Sequence, residues 1–175
     1  MGDPKKPRKK YSSPKHPWRG VQLSQELFLV GTYGLRNKRE LWRAQTELSR
    51  IRKQARMLLA APPEIRASAE PKLLTSLSRR GLVPEGASLD DVLSLTIENL
   101  LERRLQSVVW RKGLASSPYQ SRQMVTHGHI TLGDRVITIP SYVVEREEEG
   151  TVHLREDSPI AKLVAVKSAE STSEA

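Results

Sequence analysis

Between Asn37 and Leu59, apolar side chains recur at Leu41, Ala44, Leu48, Ile51, Ala55, Leu58 and Leu59, every third or fourth residue, and the remaining positions are polar. That period belongs to a helix and predicts one long amphipathic element. Asn37 and Glu40 predict a capping box at its start, each side chain taking one of the free backbone N–H groups. Further on, Pro71 is expected to open a short helix holding Leu73, Leu74 and Leu77 and closed by Gly81. Ser88 with Asp91 is expected to open another, which turns Leu89, Val92 and Leu93 inward.

From Ile97 the spacing returns at Leu100, Leu101, Leu105, Val108 and Val109, predicting one helix that ends at Gly113. Ser117, Pro118 and Gln120 are the next start signal, for a helix from Tyr119 to about His127 that stops at Gly128. Ile130 to Leu132, a Gly133-Asp134 pair and Arg135 to Ile139 read as a hairpin with a two-residue turn. Val152 to Leu154 alternates as a last short strand, after an acidic turn from Glu145 to Gly150. The expected class is α+β, in four regions. Residues 1–20 form an extended basic arm and residues 21–101 a mainly helical domain. Residues 102–165 form a module of two helices and a β-hairpin, and residues 166–175 a disordered acidic tail.

Charge sharpens this picture. Net charge is +9, but residues 1–56 alone carry 15 basic and 4 acidic side chains, whereas residues 145–175 carry 4 and 8. A polyanion is the natural partner of such a distribution. No apolar run approaches the roughly 20 residues that span a bilayer, and residues 4–19 hold charges and four prolines where a secretory signal would need an apolar core. The long helix bears Arg39, Arg43, Arg50, Arg52, Lys53 and Arg56 against only Glu40 and Glu47. Solvated helices interleave both signs, because opposite charges four residues apart attract. This lopsided face reads as a phosphate contact, with Trp42 packed rather than stacked on nucleic acid. The arm, with Lys9 and Lys10, is a segment that orders along RNA with Tyr11, His16 and Trp18 available to stack on bases or sugars, a solvated flexible tail, or a tail whose Trp18 anchors on the domain. Arg79 and Arg80 are RNA contacts or solvated helix-end charges.

Catalytic chemistry finds little purchase. The chain has no cysteine, no phosphate-cradling Gly-Lys-Ser or Gly-Lys-Thr loop, no dinucleotide fingerprint and no nucleophile elbow. His127 and His129 flank a glycine, without an Asp, Glu or Cys near them to complete a metal set. They read as an RNA-facing edge, or, for His129, as a satisfied structural residue. No cofactor, metal or enzymatic activity is expected.

The run from Arg103 to Val144, with SRQMVTHGHI at its centre and PSY near its end, resembles the small RNA-binding module named after the fourth small-subunit ribosomal protein. YGLRNKRELWRAQTELSRIRKQARMLL (Tyr33 to Leu59), HPW (His16 to Trp18) and LLERRLQ (Leu100 to Gln106) resemble the rest of that ribosomal family, in its archaeal form. The resemblance covers all but the tail after about Ala165. Many bacterial members carry a zinc-binding cysteine cluster near the N-terminus, which is missing here. It implies a cytoplasmic protein of the 30S subunit that is a primary binder of 16S rRNA, nucleates assembly of the subunit body and contributes to translational accuracy. Its neighbours would include small-subunit protein five. The expected RNA contacts are Arg103, Arg104, Gln106, Arg111, Lys112, Ser117, Arg122, Gln123 and His127 in the module. Arg43, Arg50, Lys53 and Arg56 join them from the long helix, and Lys9, Lys10 and Trp18 from the arm. Leu105, Val108 and Val125 should matter for folding instead. Two other functions carry the same module. An RNA-modifying or RNA-charging enzyme would show turnover, and a pre-rRNA processing factor would leave mature subunits in moderate salt.

Overall fold

The computed structural model describes residues 9–155 and 157–159; the tail expected at 166–175 lies outside them. The first helix, α1 (Gly20–Thr32), is one that apolar spacing does not announce. Its one fully buried side chain is a carboxylate, Glu26, while Val21, Leu27 and Phe28 are exposed. An inside-out pattern leaves no apolar period to find.

The long helix α2 (Lys38–Leu59) starts where its spacing predicts, from extended backbone at Asn37. Only half of the expected capping box forms. The Asn37 side-chain Oδ1 accepts from the Glu40 N–H at 3.3 Å, but the Glu40 carboxylate points away, into the other half of the chain. Leu41, Leu48, Ile51 and Ala55 are buried along one side.

Helix α3 (Pro63–Arg79) corrects the expectation that Pro71 opens a helix: Pro63 takes the first turn and Pro71 lies inside. The part before Pro71 is mostly exposed, whereas Leu73, Leu74 and Leu77 pack into the core. The apolar pattern therefore reports only the packed second half. Helix α4 (Leu89–Ser94) has both halves of the Ser88–Asp91 capping box, as predicted.

The helix expected from Ile97 to Gly113 is two, α5 (Ile97–Glu102) and α6 (Leu105–Arg111), broken at Arg103 and Arg104. Arg104 is extended there and bridges Val143. The Leu105 N–H reaches Tyr142 O at 2.8 Å, and the Val144 N–H reaches Arg103 O at 2.9 Å. The physical reason is where the apolar side chains go. Leu100 joins the core made by α2, α3 and α4, and Leu101 joins a small cluster with Tyr33, Leu35 and Leu41. Leu105, Val108 and Val109 join the module's own core. A single straight helix would aim all five at one partner.

Helix α7 (Pro118–Thr126) starts one residue earlier than predicted and packs on α6. Strands β1 (Ile130–Leu132) and β2 (Arg135–Val136) pair Leu132 with Arg135 across the two-residue turn. β2 ends at Val136, short of the expected Ile139. Strand β3 (Val152–Leu154) adds to the other edge of β1, antiparallel, giving the order β2-β1-β3. The α+β class holds. Leu105, Val108 and Val125 are buried in the module core, as their expected folding role requires.

Pro71 is exposed and interrupts the hydrogen-bond ladder of α3, a cost of about 3 kcal/mol in a helix interior. Replacing it with Ala is expected to raise stability by roughly 1–3 kcal/mol in chemical denaturation. A lowered midpoint would mean that the helix needs the bend.

Candidate nucleic-acid interface

Arg104 and Arg122 converge on one carboxylate, Glu40, from across the seam between α2 and the module. Arg104 Nη2 lies 2.6 Å from Oε2. Arg122 donates from Nη2 to Oε1 at 2.8 Å and from Nη1 to Oε2 at 3.2 Å, a bidentate pair. Burial pushes the Glu40 carboxyl upward, but hydrogen bonds from Arg122 and Arg104, with their charges, outweigh it and hold the group below the usual carboxylate range. Beside it, the buried Gln106 amide donates to the carbonyls of Tyr33, Gly34 and Pro118 at 2.9–3.1 Å and accepts from Arg122 Nη1. Gly34 has φ +58°, and a Cβ there would sit 2.8 Å from Pro118 Cβ and 2.9 Å from Gln106 Nε2. No larger residue fits that contact between the halves.

A second contact closes the seam further along. Arg103 donates from Nε to the Arg80 carbonyl at 3.0 Å and from Nη1 to Glu149 at 2.7 Å. Gly81 makes room for it, since a Cβ there would fall 1.9 Å from Arg103 Nη2. Arg79 pairs with Glu145 and Arg146 with Glu85 across the same line. Tyr33, whose hydroxyl is pushed up to about 12 first by burial and then by Glu102, donates to Glu102 at 3.4 Å.

These contacts place part of the expected RNA-contact set within the seam. Arg104 and Gln106 are only 6% and 1% exposed, so both are seam residues. The spacing contains the missed signal: Arg104 stands four residues after Leu100 and four before Val108, on the apolar stripe, where a buried guanidinium needs an anion. Arg103 is mostly covered, and Arg122 is partly covered and committed to Glu40. Ser117 caps α7 by accepting from the Gln120 N–H, while the Gln120 side chain accepts from Ser116, one residue earlier than the predicted box. Arg111 is exposed but pairs with Glu102, and Lys112 donates to the carbonyls of Glu149 and Val152. Gln123 on α7 and His127 just past its end are exposed. His129 is satisfied by Ser158, its Nδ1 3.0 Å from the hydroxyl.

Available cations lie elsewhere. Arg39, Arg43, Arg50, Lys53 and Arg56 of α2 are exposed, and among the described residues none makes an ion pair. Trp42 is packed, as expected, with its indole N–H donating to Glu26 at 3.2 Å. Trp18 is 87% exposed and Lys9 and Lys10 are exposed, but Tyr11, expected to be available to bases, lies against Trp42. A cleft of about 260 Å³ opens between α2 and the seam, lined by Glu40, Arg43, Glu47, Arg80, Arg104 and Arg122 among others. Arg104 Nε is buried beside it and has no partner among the described residues. Among the described residues no group of His, Cys, Asp and Glu could hold a metal, and no helix is long and apolar enough to cross a membrane.

Comparison with known proteins agrees with this two-part build. Residues 5–102 match the ribosomal protein S4/S9 N-terminal domain and residues 103–149 match the S4 domain. The chain belongs to the uS4 family of small-subunit ribosomal proteins. It is 54% identical over 162 residues to small ribosomal subunit protein uS4 of Hyperthermus butylicus, covering 93% of this chain and 92% of that protein. The Ignicoccus hospitalis protein of the same name is 56% identical over 162 residues, 93% and 98% of the two chains. That of Cenarchaeum symbiosum is 56% identical over 164 residues, 94% and 80%. These are archaeal relatives, as the motifs imply, and the boundary between the two matched regions of the uS4 chain falls at the break between α5 and α6.

Because the folded Glu40 carboxyl lies below its ordinary 4.5, its contribution to stability is complete above that pH. It is lost as pH falls through the depressed folded value. Glu40→Gln is expected to lower stability at pH 7 by about 3 kcal/mol, leaving two guanidiniums without their anion. The loss should shrink as pH falls below 4.5, measured by urea unfolding across pH; an equal loss at every pH would mean the pair is only a steric filler.

Proposed function

We propose that this chain is a primary binder of 16S rRNA in the 30S subunit, nucleates assembly of the subunit body, and contributes to translational accuracy through its protein neighbours, small-subunit protein five among them. Its place would be the cytoplasmic ribosome. Membership of the uS4 family supports the ribosomal reading. The observation that carries the RNA contact is the lopsided charge of α2: five exposed cations without ion pairs among the described residues. On it we assign Arg43, Arg50, Lys53 and Arg56 as the main phosphate contacts. Lys9, Lys10 and Trp18 extend them from the arm, and Arg111, Lys112, Gln123 and His127 from the module. In this division the arm (1–20) and helical domain (21–101) supply charge, and the module (102–165) supplies a second surface at fixed distance. The chemistry is charge neutralisation and shape, because guanidinium forks match phosphate oxygens.

A titration of small-subunit rRNA between 50 and 200 mM salt tests this. If about six to ten phosphates are engaged, affinity should fall by roughly three to five orders of magnitude. Replacing Arg43, Arg50 and Lys53 together by Ala should flatten the log–log slope by about 2–3. A flat response in the parent, or an unchanged slope in the variant, would remove the assignment. Co-sedimentation with mature small subunits in moderate salt separates a constitutive component from a processing factor.

A further inference from the structure

The described part of the arm is not free. The Tyr11 ring stacks on Trp42, with centroids 5.9 Å apart and planes 30° from parallel. The Lys9 ammonium sits 4.6 Å from the centre of the Tyr11 ring and donates to Ser13 at 3.2 Å. The Ser12 N–H donates to Thr46 Oγ1 at 2.9 Å, and that hydroxyl donates to the Trp42 carbonyl at 2.7 Å. Trp42 is itself held from behind by Glu26, which also binds Lys38 at 3.2 Å and Gln22 at 3.1 Å. A carboxylate buried to 3% exposure thus anchors the indole on which the arm rests.

Position decides what this does. Arg39, Trp42, Arg43, Thr46, Arg50 and Lys53 stand three or four residues apart along α2, so they share one side of the helix. The arm lies on that side. We propose that the Tyr11–Trp42 stack is a preset clamp that lays Lys9 and Lys10 beside the cations of α2 before any RNA arrives, making Tyr11, Trp42 and Thr46 positioning residues for rRNA binding. The clamp rests on the rRNA-binding reading above. Its effect is preorganisation: the arm's ordering is completed in the free protein rather than charged against binding, and its lysines are held at high local concentration.

The test is a double-mutant cycle on the full chain, titrated against naked small-subunit rRNA. Tyr11→Ala, Trp42→Leu and Thr46→Val each remove part of the clamp; Thr46→Val keeps the side chain's shape. Tyr11→Ala or Trp42→Leu should weaken binding by about three- to tenfold, the value of an aromatic pair. Replacing Lys9 and Lys10 by Ala should weaken the parent but add little to Tyr11→Ala. Tyr11→Phe should bind like the parent. Hydrogen exchange supplies a readout without RNA: the Ser12 amide should be protected in the free parent and unprotected in Trp42→Leu and Thr46→Val. Equal losses from the lysine replacement in both backgrounds would overturn the clamp, as would rapid Ser12 exchange in the free parent. Parent affinity in Trp42→Leu beside a loss in Tyr11→Ala would also overturn it, because Tyr11 would then be stacking on a base. A parent that binds no rRNA would remove the functional reading instead, while Ser12 protection still decides whether the arm is docked.

Discussion

A single carboxylate shared by two guanidiniums sets how the two halves of this chain meet. Arg104 is almost wholly covered, and an ionised group in that position is tolerable only with its anion in hydrogen-bond contact. Glu40 supplies it from the first turn of α2, and Arg122 completes the charge from α7. The surrounding features follow from bringing these three groups together. The break between α5 and α6 turns Arg104 into the seam, and the bridge to Val143 holds it there. Gln106 ties down carbonyls from both halves, and Gly34 allows the approach. Even the imperfect cap of α2 belongs to this set, since a Glu40 side chain folded back onto Asn37 would leave both arginines unpaired.

That joint redistributes the protein's electrostatics. Arg103, Arg104, Arg111 and Arg122 form ion pairs with Glu149, Glu40 and Glu102, so much of the positive charge in the module's sequence is neutralised within the fold. Arg39, Arg43, Arg50, Lys53 and Arg56 of α2 have no such partners among the described residues, and the arm rests on the same helix through Tyr11 and Trp42. Among the described residues, exposed positive charge without ion pairs therefore gathers on α2, beside the module where the sequence motif is most recognisable.

What the sequence made legible was whatever depended on period or on local turn chemistry. The α2 stripe, the Ser88–Asp91 cap, the Gly133-Asp134 turn and the β3 strand are all properties of neighbouring residues, and all stand in the structure. Features decided by distant partners were not legible. Helix α1 hides a carboxylate and exposes Phe28, because Glu26 is matched to Trp42 and Lys38 of α2 as well as to Gln22 of its own helix. The continuous spacing from Ile97 to Val109 concealed a break, since period records that side chains are apolar but not which core receives them. At the candidate interface, exposure of the α2 cations followed from their place outside the apolar stripe. The burial of Arg104 and Gln106 in the seam was not legible, because basic and amide side chains in an RNA-binding motif invite a functional reading before a structural one.

Burial gives the internal and external ion pairs different sensitivities, and that difference suits a protein that must present a fixed surface to RNA. Exposed charges separated by more than about 8 Å are largely screened at physiological ionic strength, whereas pairs within the fold are screened far less. Glu40 with Arg104 and Arg122 therefore keeps the halves aligned under salt that screens the exposed charges of α2. Separation of the two charge sets has a further consequence. If the same arginines both held the seam and gripped RNA, each binding event would exchange a carboxylate for a phosphate and release the joint. With the seam closed by its own anion, the α2 face and the exposed end of α7 stay at a set distance, and the ordering cost of aligning them is met in folding rather than in binding.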